Sequence, residues 1–216
     1  MARLDLYRNV HKGQRARIFA LAGDIGQADP DDCAHLLSLA GALRDALAAL
    51  REHAGHEETF IHPVLRDRAP AVAEALEREH HWIEDALADV EGRVQRLETA
   101  HRPADMDELY RAWCRMVSAY LTHLDNEERL AMPALWERCT DEEIIAIMRA
   151  FVASRSAGDM LADLCGQAPA LAPQEVAAYV AGVIASGKVG AQQIWHGLSG
   201  VLDPRDLARL RAAVAA

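Results

Sequence analysis

The sequence predicts an all-α protein, an up-down-up-down four-helix bundle with additional C-terminal helices. Apolar residues recur at helical spacing through nearly every segment, the mark of amphipathic helices. The alternation and Asn-Gly turns that would signal strands and hairpins are missing. Four long amphipathic segments fill the first two-thirds of the chain, and their short connections favour antiparallel neighbours.

The first segment runs from about Leu4 to Ile25 and ends near Gly26. Asp29-Pro30-Asp31 follows, where an acidic cap and a proline at the first helical position restart a helix. This second helix is expected to reach about His62-Pro63, and the third to run from about Pro70 to Ala100. The fourth starts around Asp105, after Pro103, and fades near Met132-Pro133. Asp141-Glu142-Glu143 opens a fifth, with Ile144, Met148, Phe151 and Val152 on its apolar face. A further stretch spans roughly Pro173 to Leu202 with a weak point at Ser186-Gly187, and a last short helix begins at Asp203-Pro204. There is no repeat of fixed period and no low-complexity linker. The expected division is a bundle over residues 1–140 and an extension over 141–216 that packs on it or forms an interface, such as that of a homodimer.

A chain of 216 residues, 51% hydrophobic, can fill one core or a core with a smaller subdomain. Cys33, Cys114, Cys139 and Cys165 lie far apart with no CxxC pair. They read as reduced thiols in a cytoplasmic protein. Charged residues near the N-terminus interrupt any signal-peptide stretch, and no later run approaches a membrane span. A formal charge of -10 without a Lys/Arg cluster argues against nucleic acid and anionic membranes as partners.

The histidines carry the chemistry. The core-facing seam of the first helix reads Leu4, Tyr7, His11, Ile18, Leu21, Ile25, and that of the second Leu36, Leu43, Leu47, Leu50, His53, Glu57, Phe60. The third gives Leu76, His80, Ile83, Leu87, Val90, Val94, Leu97 and the fourth Leu109, Trp113, Met116, Tyr120, His123, Glu127, Leu130. Each helix thus puts one histidine on its seam. His53/Glu57 and His123/Glu127 add a glutamate one turn later, about 6 Å along the axis. The second and fourth helices run in the same direction in such a bundle, so Glu57 and Glu127 fall at similar depth, each near a histidine. That is a geometry for two metal ions bridged by two carboxylates. His-x-x-x-Glu occurs a third time, at His80/Glu84. Imidazoles and carboxylates are rarely buried unless paired or bound to metal. Buried His–Glu hydrogen bonds without metal are the alternative, disfavoured because half-satisfied buried polar networks are costly.

The order His11, His53-x-x-x-Glu57, His80, His123-x-x-x-Glu127 resembles the hemerythrin-like cation-binding family over roughly residues 1–135. The likeness extends to Val10-His11-Lys12-Gly13, to Glu57-Glu58 leading to Pro63, to Glu79-His80 and to Glu127-Glu128 leading to Pro133. It implies a non-haem centre of two iron ions, oxo- or hydroxo-bridged, with the four histidines as terminal ligands and Glu57 and Glu127 as bridges. Ligand chemistry alone would accept iron, zinc or manganese; the resemblance favours iron. Oxygen-carrying members place two histidines one turn apart on the third helix, whereas the second position here is Glu84. Glu84 is thus a possible additional ligand, and simple oxygen carriage is in doubt. Ferritin-like oxidases use Glu-x-x-His on two helices, a spacing met here only by Glu77/His80.

The resemblance implies a protein that binds or senses O2 or NO, or the redox state, rather than an enzyme. The alternatives are an enzyme reducing peroxide or NO or oxidising ferrous iron, and a protein storing or delivering iron. His81 is the expected substitute should His80 be the wrong neighbour. His56 lies off the seam, and His62, His35, His101 and His196 are expected in solvent. Tyr7 and Tyr120 could line the pocket or donate hydrogen bonds to ligands, or be simple core.

Overall fold

The computed structural model describes residues 3–97 and 103–215. Among them every regular element is helical and no strand occurs. The all-α class holds, with a helical bundle and extra C-terminal helices. The expected end of the third helix near Ala100, and His101, lie outside the described residues.

Helix α1 spans Arg8–Gln27. It starts later than the periodicity predicts because the Asp5 carboxylate accepts the N–H groups of Tyr7 and Arg8, both at 3.0 Å. Asp29 likewise accepts the N–H of Asp31 at 2.9 Å, so Pro30 sits in a turn instead of opening a helix. Asp32 becomes the cap of α2 (Cys33–His56), taking the N–H of His35 at 3.0 Å.

The expected stops at Pro63 and Pro133 do not occur. The chain stays helical through a π turn, Glu57–Ile61, into α3 (His62–Arg68). Later, α5 (Pro103–Asn126) passes through a second π turn, Glu127–Ala131, into α6 (Met132–Arg138). The N–H of His62 donates to the carbonyl of Glu57 and that of Met132 to Glu127, five residues back in each case. A proline inside an α-helix lacks a donor and its ring clashes with the carbonyl four residues earlier. A wide turn just ahead of it relieves that clash and lets the helix run on. The core seam then slips by one residue. Phe60 is only half-buried and Leu130 is 48% exposed, while Ile61 and Ala131 are buried.

Helix α4 (Pro70–Leu97) carries Leu76, Ile83, Leu87, Val90, Val94 and Leu97 inward. The described chain forms two compact units, one centred on Arg15–Ile144 and one joining Leu4–Gln14 to the chain from Ile145 on. The core of the first draws on α1, α2, α4 and α5, with Ile18, Leu36, Leu43, Val90, Leu109 and Trp113 fully buried. Trp113 satisfies its indole N–H on the Ile18 carbonyl at 3.1 Å. By length and composition alone, Cys33–Arg68 could cross a membrane, contrary to the expectation that no stretch would qualify. Its Leu36, Leu39, Leu43, Leu47 and Leu50 are buried in the bundle core, so its apolar face is already occupied.

The second unit contains α7 (Asp141–Ser154) from Ile145 on, α8 (Ala157–Gln167), α9 (Pro173–Ala185), α10 (Ala191–Ser199) and α11 (Pro204–Ala215). Helix α8, which the periodicity did not separate, begins at a capping box in which Ser156 and Asp159 serve each other's backbone N–H. The predicted weak point is real: α9 ends at Ala185 and Gly187 adopts φ 68°, which glycine tolerates at no steric cost. The ammonium of Lys188 then donates to the carbonyls of Val152, Ala153 and Arg155 at 2.8, 2.9 and 2.7 Å. It thereby closes the C-terminal end of α7, where carbonyls lack partners.

Candidate metal centre

Five of the six expected ligands meet inside the first unit. Donor atoms of Glu57, His80, His123 and Glu127 all lie within 4.8 Å of one another. His53 with the same Glu57 and Glu127 makes a second set within that limit. The two sets overlap on the glutamates, each of which opens a π turn. Glu57 and Glu127 are 2% and 0% exposed, and His123 is 2% exposed. His11, the sixth expected ligand, is fully buried on α1 in the second unit, its ring 5.4 Å from that of Tyr7.

The carboxylates face imidazoles. His53 Nε2 lies 2.8 Å from Glu57, His80 Nε2 3.5 Å from the other oxygen of Glu57, and His123 Nε2 3.4 Å from Glu127. The outer ring atoms are held as well. His80 Nδ1 is 3.2 Å from Glu58, and His123 Nδ1 is 2.9 Å from Glu79, which also accepts the Asn126 amide at 2.7 Å. A neutral imidazole that donates its Nδ1–H to a carboxylate presents a bare lone pair at Nε2. Yet His80 Nε2 and His123 Nε2 approach to 3.0 Å in the buried interior. Two facing lone pairs at that distance repel unless a proton or a cation lies between them. The carboxylate–histidine pairs prepare both rings for a metal ion, as carboxylate–histidine–metal triads do, and the donor set fits one.

Burial and the neighbouring hydrogen bonds act in opposite directions on His80 and Glu79. Burial lowers the basicity of His80, but hydrogen bonds and charge from Glu57 and Glu58 outweigh it and leave its pKa raised. Burial raises that of Glu79, against the Asn126 hydrogen bond. Burial, aided by His80, lowers that of His62.

Residues 3–105 match the family model of the hemerythrin HHE cation binding domain. The chain carries a hemerythrin-type HHE domain. The match takes in His11, His53, Glu57, His80 and Glu84 and stops before His123 and Glu127, whose convergence with the others rests on the fold. No curated protein and no solved structure matches the chain. The domain match over residues 3–105 and the His/Glu cluster together support metal binding of the hemerythrin type.

Other expected positions resolve differently. Glu84, a possible additional ligand by sequence, is 56% exposed at its side chain and pairs with Arg51 at 3.0 Å. It lies outside the cluster because Arg51 on α2 competes for it. Glu77, half of the ferritin-like pair, binds Arg66 at 2.6 Å and faces outward. His81 and His35 are exposed, as is His196; His56 is half-buried beside Glu52 at 3.7 Å. Tyr7 and Tyr120 are buried, and Tyr120 lies 6.3 Å from the His123 ring. The clear correction is His62. Expected in solvent at a proline break, it is 0% exposed and stacks on His80 at 5.0 Å between centroids. The signal was Pro63 six residues after a seam glutamate, which forces a register shift that 3.6-residue periodicity does not anticipate.

A cavity of about 430 Å³ reaches His53, Glu57, His80, His123 and Tyr120. Leu50, Ile83 and Leu87 form its apolar wall, and half-buried Arg51 with exposed Glu58, His81 and Glu84 form its rim.

Proposed function

We propose that the HHE domain holds two iron ions in the first unit's interior and uses them to bind or sense O2 or NO in the cytoplasm. The observation that carries this reading is the pair of overlapping donor sets that share Glu57 and Glu127. Two ions whose only common ligands are two carboxylates are what that overlap accommodates. In this reading His80 and His123 serve one ion and His53 the other. His11, on α1, is the sixth ligand that the family resemblance implies.

A ferrous pair supplies electrons and an open coordination position for a small ligand. The chain's own residues do the rest. Glu58 and Glu79 fix the ring tautomers of His80 and His123, and Glu57 and Glu127 would hold the ions and offset their charge. The apolar wall of Leu50, Ile83 and Leu87 limits water in the cavity, which is ample for a diatomic molecule.

Anaerobic reduction of the iron-loaded protein, followed by rapid mixing with O2, NO or hydrogen peroxide, tests the function. A stable adduct with O2 or NO supports binding and sensing. Sustained turnover of peroxide or NO would make it an enzyme instead, and rapid loss of iron would make it a delivery protein.

A further inference from the structure

His62 has no part in the six-ligand set, and its surroundings do not suit a packing residue. The side chain is fully buried, and among the described residues neither ring nitrogen has a hydrogen-bond partner. Leaving a buried polar atom unsatisfied is costly, whereas an apolar residue of similar shape would cost nothing there. The equivalent place in the other half shows the contrast. His53-x-x-x-Glu57-Glu58 leads to His62-Pro63 as His123-x-x-x-Glu127-Glu128 leads to Met132-Pro133, and Met132 is likewise fully buried. One half fills this place with a thioether, the other with an imidazole.

The π turn explains how His62 comes to lie buried against His80. In an α-helix, five residues carry a side chain roughly 140° around the axis. Closure of the turn from the His62 N–H to the Glu57 carbonyl brings residue 62 back toward the face of Glu57. Its ring lies almost parallel to that of His80, 23° between planes and 5.0 Å between centroids. Glu84, the alternative extra ligand, is held outside by Arg51.

Resting on the two-ion reading above, we propose that His62 is a further nitrogen donor to the ion held by His80 and His123. The centre would then be asymmetric, with one ion richer in imidazole than its neighbour and fewer open positions on it. A small ligand would bind preferentially at the ion on the His53 side.

Cobalt(II) titration of the metal-free full chain tests this, read by visible absorption and by calorimetry, with His62→Leu and His62→Ala beside the wild type. Cobalt bands weaken as coordination number rises, so both variants should show stronger bands than the wild type. One of the two ions should bind about tenfold or more weaker. Added imidazole should restore affinity and spectrum to His62→Ala, whose cavity admits it, and leave His62→Leu unchanged. If Ala does not fold, the Leu variant, which removes an unsatisfied polar group without leaving a hole, decides alone. Variants that bind two ions with wild-type affinity and spectrum would overturn the role of His62 while leaving the two-ion centre intact. A wild type that takes up no pair of ions would overturn both.

Discussion

His80 Nε2 and His123 Nε2 lie 3.0 Å apart in the buried interior, each on a ring whose Nδ1 is held by a carboxylate, Glu58 or Glu79. Held that way, both rings turn lone pairs toward one point. That arrangement suits a cation between them, and removing the groups that hold the rings should cost affinity before it costs the fold.

Glu79→Gln replaces the acceptor of the His123 Nδ1–H by an amide that can present the wrong end. Metal affinity should fall by about 10–100-fold, while the melting temperature of the metal-free protein changes little. Calorimetric titration of both proteins measures this; an unchanged affinity would remove Glu79 from the support of the site.

Glu57→Gln and Glu127→Gln remove a buried negative charge that only a cation or imidazolium compensates. Without metal, each variant should melt at or above the wild-type temperature, since an uncompensated buried charge is destabilising. With metal, the rise in melting temperature seen for the wild type should be largely lost. A metal-free variant that melts well below wild type would show that these carboxylates stabilise the fold by themselves.

Glu84→Gln breaks an exposed ion pair with Arg51 at the rim of the cavity. Two ions should still bind, and stability should change by less than about 1 kcal/mol. Metal analysis of the variant decides: loss of one ion would restore Glu84 as a ligand.

Lys12 and Glu175 pair at 2.7 Å within the second unit, and the Lys12 hydrogen bond, with the Ala172 N–H, lowers the Glu175 carboxyl below its ordinary value of 4.5. A carboxyl lowered in the folded state adds stability above its unfolded value and loses it as pH falls through the folded one. Lys12→Met should therefore be less stable than wild type at pH 7, by about 0.5–1 kcal/mol. The two should converge as pH drops below the ordinary carboxyl value, and urea unfolding at pH 7 and pH 3 follows this.

Lys188→Met removes three hydrogen bonds from the C-terminal carbonyls of α7. Hydrogen bonds to a charged donor contribute about 1.5–3 kcal/mol when buried; at this exposed lysine a loss of about 1 kcal/mol is expected. Hydrogen exchange should rise in the last turn of α7 and stay unchanged in α4.

Much of the centre was legible in the sequence because a buried seam repeats every 3.6 residues and charged groups on it stand out. His53, Glu57, His80, His123 and Glu127 converge because helical phase carries each to the interior, and the all-α class follows from the same period. Phase also set the limit. Pro63 and Pro133 read as stops, since proline ends most helices; here each is preceded by a π turn that keeps the helix and shifts its register. Leu130 is exposed and His62 buried for that one reason. Glu84 was ambiguous because the choice between metal and Arg51 is made across helices, where one chain's periodicity carries no information. Asp5 and Asp32 set helix starts by local hydrogen bonds, which shift boundaries by a few residues without changing the seam.

The central claim, a two-ion centre bridged by Glu57 and Glu127, is tested most directly by the iron content of metal-free protein loaded anaerobically with ferrous iron and freed of excess. Two irons per chain are predicted. One iron or less per chain would contradict it.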